Sequence, residues 1–164
     1  MKLKIFSILT LCLIATSVFA QKSINNYKYV LVPNKYDFLK ENDQYQLNSL
    51  TRFLFEKYGF EAIMEGEEYP EDLNFNRCLA MTSDVTKESG LFATKLKVIL
   101  KDCNEKQIFE SAIGNSREKD YQVSYNKALR ESFKSFETVN YAYKPDDEIL
   151  ALGGASVVAK SESE

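Results

Sequence analysis

Along this chain, stretches with a two-residue hydrophobic period alternate with stretches of helical period, and their order sets the architecture. Tyr27-Lys28-Tyr29-Val30-Leu31-Val32 is rich in β-branched and aromatic residues and is stopped by Pro33. It predicts a first strand, whose continuous apolar end belongs at the centre of a sheet. Asp43 and Gln46 have capping-box spacing, and Leu47, Leu50, Leu54 and Tyr58 follow at helical intervals with Phe53 widening the stripe. That pattern predicts a helix over Gln44 to Tyr58, closed by Gly59 as a left-handed cap with the apolar Phe60 beyond it.

Phe60, Ala62 and Met64 alternate with polar neighbours and predict a short strand leading into the acidic turn from Glu65 to Asp72. Arg77 to Val85 predicts a third strand with Leu79 and Met81 on one face and Cys78 and Ala80 on the other. Leu91 to Asp102 predicts a fourth, with Thr94, Leu96, Val98 and Leu100 pointing one way and Lys95, Lys97 and Lys101 the other. A turn through Cys103 to Lys106 returns the chain as a fifth strand, Gln107 to Ile113. Ser116 then caps a second helix with the stripe Tyr121, Tyr125, Ala128, Leu129, Ser132, Phe133 and Phe136, and Arg117, Lys119, Lys127, Arg130 and Lys134 fall on its wet side. Asn140 to Tyr143 offers a short last strand.

The order β-α-β-β-β-β-α predicts an α+β fold. A parallel pair is joined by a right-handed crossover, hairpins extend the sheet, and two helices cover one face of a mixed five-stranded sheet in a two-layer sandwich. The lysine-striped face of Leu91 to Asp102 then lies opposite the helices, open to water or to a partner.

The termini add an address. Lys2 and Lys4, the apolar run Ile5 to Ala15, and Val18-Phe19-Ala20 before Gln21 make residues 1–20 a secretory signal peptide. Leu11 before Cys12 is too bulky for a lipidation site. Residues 21–143 form a single α/β domain, and residues 144–164, acidic and aperiodic, a disordered tail. Cutting 20 of 164 residues leaves 144, enough for one core that buries roughly 70% of the unfolded surface. The expected localisation is exported, periplasmic rather than extracellular, with no stable membrane insertion of the mature chain.

Removing Lys2 and Lys4 from 21 cations, against 24 anions, leaves a formal charge of −5, which argues against nucleic acid as a partner. The chain has no His and no Trp, so no Ser-His-Asp, Cys-His or His-ligated zinc site can form. The sequence names no catalytic, cofactor-binding or metal-binding residue. Ser116-Arg117-Glu118-Lys119 matches the S-x-x-K spacing of acyl enzymes, but neither S-D-N nor K-T-G accompanies it, and Ser116 reads as a helix cap. The acidic turn lacks the alternating ligands of a calcium loop and reads as solvated.

Two cysteines outlast processing, Cys78 and Cys103, 25 positions apart. A hairpin turning near Ser89-Gly90-Leu91 sets position 78 opposite 103 and allows a disulfide; two unpaired thiols is the alternative.

The opening strand Tyr27 to Val32, the helix end Lys57-Tyr58-Gly59-Phe60, the strand Lys97-Val98-Ile99-Leu100-Lys101-Asp102, the strand Gln107-Ile108-Phe109-Glu110-Ser111 and the terminal amphipathic helix form a familiar succession. Over residues 27–136 it resembles the small α/β domain of curli-secretion lipoproteins, of penicillin-binding-protein activator lipoproteins and of the TolB N-terminal domain. The likeness is one of element order, and the chain departs from the lipoprotein members in lacking a lipobox cysteine. It implies a non-enzymatic domain that docks onto other envelope proteins; the absent catalytic apparatus and one-sided helix packing point to the sheet face opposite the helices or a sheet edge as the docking surface, with no cofactor. Two rival functions follow from the residues: a small carboxylate-dependent hydrolase of cell-wall material, which needs two acids facing each other in a cleft, and a carrier of a small apolar ligand, which needs an enclosed cavity.

Overall fold

The computed structural model describes residues 22–153. The expected signal peptide, and the expected tail from residue 154 onward, lie outside the described residues. The fold is an α+β sandwich on a mixed sheet, with strand order β2-β1-β3-β4-β5 and a sixth strand, β6, on β4. The strands are β1 (Tyr29–Val32), β2 (Glu61–Met64), β3 (Ala80–Glu88), β4 (Thr94–Lys101), β5 (Gln107–Glu110) and β6 (Gly114–Ser116), and the main helices are α1 (Leu47–Lys57), α2 (Glu71–Phe75) and α3 (Tyr121–Phe133).

The apolar β1 is central, parallel to both β2 and β3. Val30 and Val32 are fully buried. The step from β1 to β2 runs through α1, as the strand-helix-strand pattern predicts. The step from β2 to β3 is not a hairpin: it passes beyond β1 to its other side. A right-handed connection in that reversed direction must cross the opposite face. Tyr29, which alternates with Val30, donates its hydroxyl to Asp72 of α2 at 2.9 Å, and Leu73 is fully buried. The face opposite the long helices is therefore covered over β1 and β2 and open only over β3 to β5.

α1 starts at Leu47, three residues later than its capping-box spacing predicts. Asp43, Tyr45 and Gln46 sit at φ of 47°, 61° and 56°, a left-handed stretch that no helix can include. Asp43 still caps α1 from a distance, its carboxylate accepting from the Ser49 amide at 2.9 Å and from the Ser49 hydroxyl. The end of the helix follows the sequence. Gly59 takes φ 88°, and its amide and that of Phe60 return to Glu56 and Phe55 at 3.0 and 3.1 Å, a Schellman motif with Phe60 buried. Phe60 joins Phe55, Phe133 and Phe136 in an edge-to-face cluster that locks α1 to α3.

The fifth predicted strand is two. β5 pairs with Ile99 to Lys101 and β6 with Thr94 to Leu96. Between them the Ser111 hydroxyl takes the Val98 amide at 2.9 Å while the Ser111 amide donates to the Val98 carbonyl. Ser116 is consequently a buried strand residue, and the cap of α3 is Asp120, which accepts from the Val123 amide at 2.9 Å.

Residues 140–143 form no strand but lie along the first described residues, with the Tyr141 hydroxyl on the Tyr27 carbonyl at 2.8 Å. Within the stretch expected as a tail, residues 147–153 are helical. Ile149 is 1% exposed, and Asn76 donates its amide to the Ile149 carbonyl at 2.7 Å.

Cys78 and Cys103 are bridged, with Cα atoms 4.9 Å apart. The strand register is two residues away from the one expected: Thr82 faces Lys101, which would set 80 opposite 103. The pair meets diagonally because both cysteines lie beyond the strand ends, Cys78 in the 3-10 turn Arg77–Leu79 and Cys103 in the turn after β4.

Candidate functional site

The open face of β3 to β5 is the surface that the lysine stripe singles out. Lys97 lies between Glu110 at 3.0 Å and Glu88 at 3.7 Å, and Lys101 between Asp84 at 3.7 Å and Glu105 at 3.8 Å. The hydrogen bond from Lys97 holds the Glu110 carboxyl below its usual range, and Glu110, followed by Glu88, holds the Lys97 ammonium above its own. Lys97 and Lys101 are thus matched by carboxylates of the sheet and of the turn after β4, which leaves the middle of this face internally paired.

The two most exposed large apolar side chains among the described residues lie at the end of that face. The β3–β4 hairpin closes through residues 89–93, and Leu91 and Phe92 at its tip are 93% and 89% exposed. Phe92 keeps the inward phase of Leu96, Val98 and Leu100, which is why the residues read as strand. β4 begins only at Thr94, where the hydroxyl of Ser124 in the first turns of α3 meets the Thr94 hydroxyl at 2.9 Å. Beyond that contact no helix among the described residues covers the hairpin, and the two side chains project.

Under the hairpin runs a series of rings. Buried Tyr36 lies 6.1 Å from Phe38, Phe38 5.7 Å from Tyr125, and Tyr125 5.1 Å from Tyr45 and 6.5 Å from Tyr121, all near parallel. Lys87 of the hairpin donates to the Tyr125 hydroxyl at 2.9 Å and so fixes hairpin to helix. Tyr121 (66% exposed) and Val123 (45%) continue the apolar surface on the first turn of α3. Exposed Leu91 and Phe92 on a hairpin tied to α3 by Lys87 are the kind of apolar anchor that protein interfaces bury at their centres.

Two surface grooves of about 500 Å³ each flank the sheet. One, along the β2 edge, brings Glu56 and Glu67 together, but both accept hydrogen bonds from Arg52, at 2.9 and 2.7 Å. This is an ion-paired triad and not two acids facing across open space. The other lies between β6 and α3, lined by Arg117, Glu118, Lys127, Arg130, Glu131 and Lys134. In the acidic turn, Glu67 is held by Arg52, and Asp72 by Lys28 at 2.6 Å and by Tyr29. Among the described residues, no group of three or more His, Cys, Asp or Glu could hold a metal ion, and no helix is long and apolar enough to cross a membrane.

No protein-family model matches the chain, and no curated protein matches it in sequence. Among solved structures it is similar to a PelC dodecamer from Paraburkholderia phytofirmans, at 11% identity and a TM-score of 0.44, over 76% of this chain and 95% of that one. A point-substituted PelC dodecamer from the same organism gives 9% identity and a TM-score of 0.44, over 70% and 90%. Overlap at that level leaves function to be read from this chain's own residues.

Proposed function

We propose that this chain is an exported, periplasmic and non-enzymatic docking module that holds another envelope protein through the tip of its β3–β4 hairpin. The observation that carries the reading is the pair Leu91 and Phe92, almost fully exposed at the end of two long, fully paired strands. Large apolar side chains in that position add nothing to the core, yet each would contribute about 2–3 kcal/mol when buried against a partner. The N-terminal signal pattern supports export, and the resemblance in element order supports docking rather than chemistry.

The hydrolase reading loses ground to the Arg52 triad, which commits Glu56 and Glu67 of the β2 groove to a guanidinium. The carrier reading asks for an enclosed apolar cavity, whereas both 500 Å³ grooves are lined by charged side chains. Affinity capture from envelope extracts, with wild type and with Leu91→Asp/Phe92→Asp, tests the proposal. A specific partner recovered by the wild type and lost by an equally stable variant is the expected result. Identical recovery with both proteins overturns the role of the tip, and recovery of no specific partner overturns the docking module.

A further inference from the structure

We propose that the groove between β6 and α3 binds a small dianion, a ligand whose phosphate or paired carboxylate oxygens are gripped by Arg117 and Arg130. Beside the groove, β6 and α3 meet at a glycine. A Cβ on Gly114 would stand 1.9 Å from the Ala128 carbonyl oxygen and 2.4 Å from the Ser132 amide nitrogen, so the β6 backbone lies directly on the α3 backbone. No other residue type permits that approach. It brings Arg117, just past β6, alongside the outer face of α3, where Lys127, Arg130, Glu131 and Lys134 stand.

The charges in the groove are not equivalent. Lys127 is paired with Glu118, and Lys134 with Glu131 at 2.6 Å. Arg117 and Arg130 have no ion-pair or hydrogen-bond partner among the described residues. Two carboxylates therefore neutralise two lysines, and the remaining charge of +2 sits on two guanidiniums supplied by different elements, in a chain whose formal charge is −3. A solvated helix face would scatter its cations. Here the flexible lysines are spent and the two planar, five-donor forks are free, the geometry that suits bidentate recognition of phosphate or carboxylate. A groove of about 500 Å³ falls within the range of small-molecule sites.

An NMR amide titration of the purified protein at pH 8, with inorganic phosphate, with succinate and with glucose, tests the site. Saturable shifts confined to residues 115–118 and 127–134 are expected for at least one of the two dianions and not for glucose. A tighter response to phosphate assigns phosphate chemistry, and a tighter response to succinate assigns carboxylate chemistry. Arg117→Gln/Arg130→Gln should weaken binding at least tenfold with the rest of the spectrum unchanged, while Lys95→Gln, on the sheet, should not. Shifts that never saturate, shifts scattered over all basic residues, no shifts, or undiminished binding by the double variant would each overturn the proposal.

Discussion

Gly114→Ala is the substitution whose cost the structure specifies most directly. The added methyl would meet the Ala128 carbonyl oxygen at 1.9 Å and the Ser132 amide at 2.4 Å, while even a tight Cβ contact needs about 3.0–3.4 Å. Strand and helix must separate by more than 1 Å. Because both obstacles are backbone, no side-chain rotation relieves them. Overpacking costs about 1–3 kcal/mol in general, and a clash with two fixed backbone atoms belongs at the upper end, about 3 kcal/mol. For a domain of this size that lowers Tm by roughly 10 °C. Urea denaturation followed by circular dichroism measures it as a fall in midpoint at constant slope. A loss below about 0.5 kcal/mol would refute the backbone contact.

Other substitutions probe other parts of the account. Cys78→Ser/Cys103→Ser opens a loop of 25 residues' separation and should remove about 3.5 kcal/mol in the chain-entropy model, read as a Tm difference that reductant reproduces in the wild type; equal Tm with and without reductant would contradict the bridge. The Tyr27 hydroxyl is buried with no hydrogen-bond partner among the described residues, and burial, with Asp102 and Asp146 nearby, pushes its phenol up to about 12. Tyr27→Phe should therefore leave stability unchanged or raise it by up to about 1 kcal/mol, and a loss above 1 kcal/mol would mean the hydroxyl is satisfied. Burial alone would raise the Asp72 carboxyl, but hydrogen bonds from Lys28, Tyr29 and the Leu73 amide prevail and hold it below its ordinary range. A depressed carboxyl stabilises the fold above its unfolded pKa and loses that contribution as pH falls through its folded pKa. Asp72→Asn should accordingly flatten the acid limb of urea midpoint against pH, and parallel limbs would sink the assignment.

Features written in neighbouring residues were legible in advance. Gly59 and Phe60 announce a Schellman end because the motif is local, and the alternation of Leu96, Val98 and Leu100 against lysines places β4 and its two faces. Features that depend on distant contacts were not. The start of α1 is decided by three left-handed residues, none of them glycine, whose backbone is held by the Asp43 to Ser49 bonds. Gly114 lies in a polar stretch without periodicity, and the residue that makes it obligatory, Ala128, comes fourteen positions later. Residues 147–153 read as tail because the apolar run Ile149 to Leu152 is too short to show a period, and only Ile149 of it is buried. Arg117 and Arg130 were visible as cations on a wet face, but that they share a groove in which the two lysines are paired depends on where β6 is laid. Leu91 and Phe92 read as the start of a strand because Phe92 keeps the inward phase of Leu96; only the extent of α3 shows that, among the described residues, they stay uncovered.

The central claim is that the hairpin tip is buried by a partner in the envelope. A photo-crosslinking amino acid at position 92, compared with one at exposed position 57, tests it in cells producing the full chain. A discrete adduct from position 92 with a protein of the envelope fraction, absent from position 57 and lost when Leu91→Asp is added, is expected if the tip is buried by a partner. No adduct at position 92, or the same adducts from both positions, would contradict it.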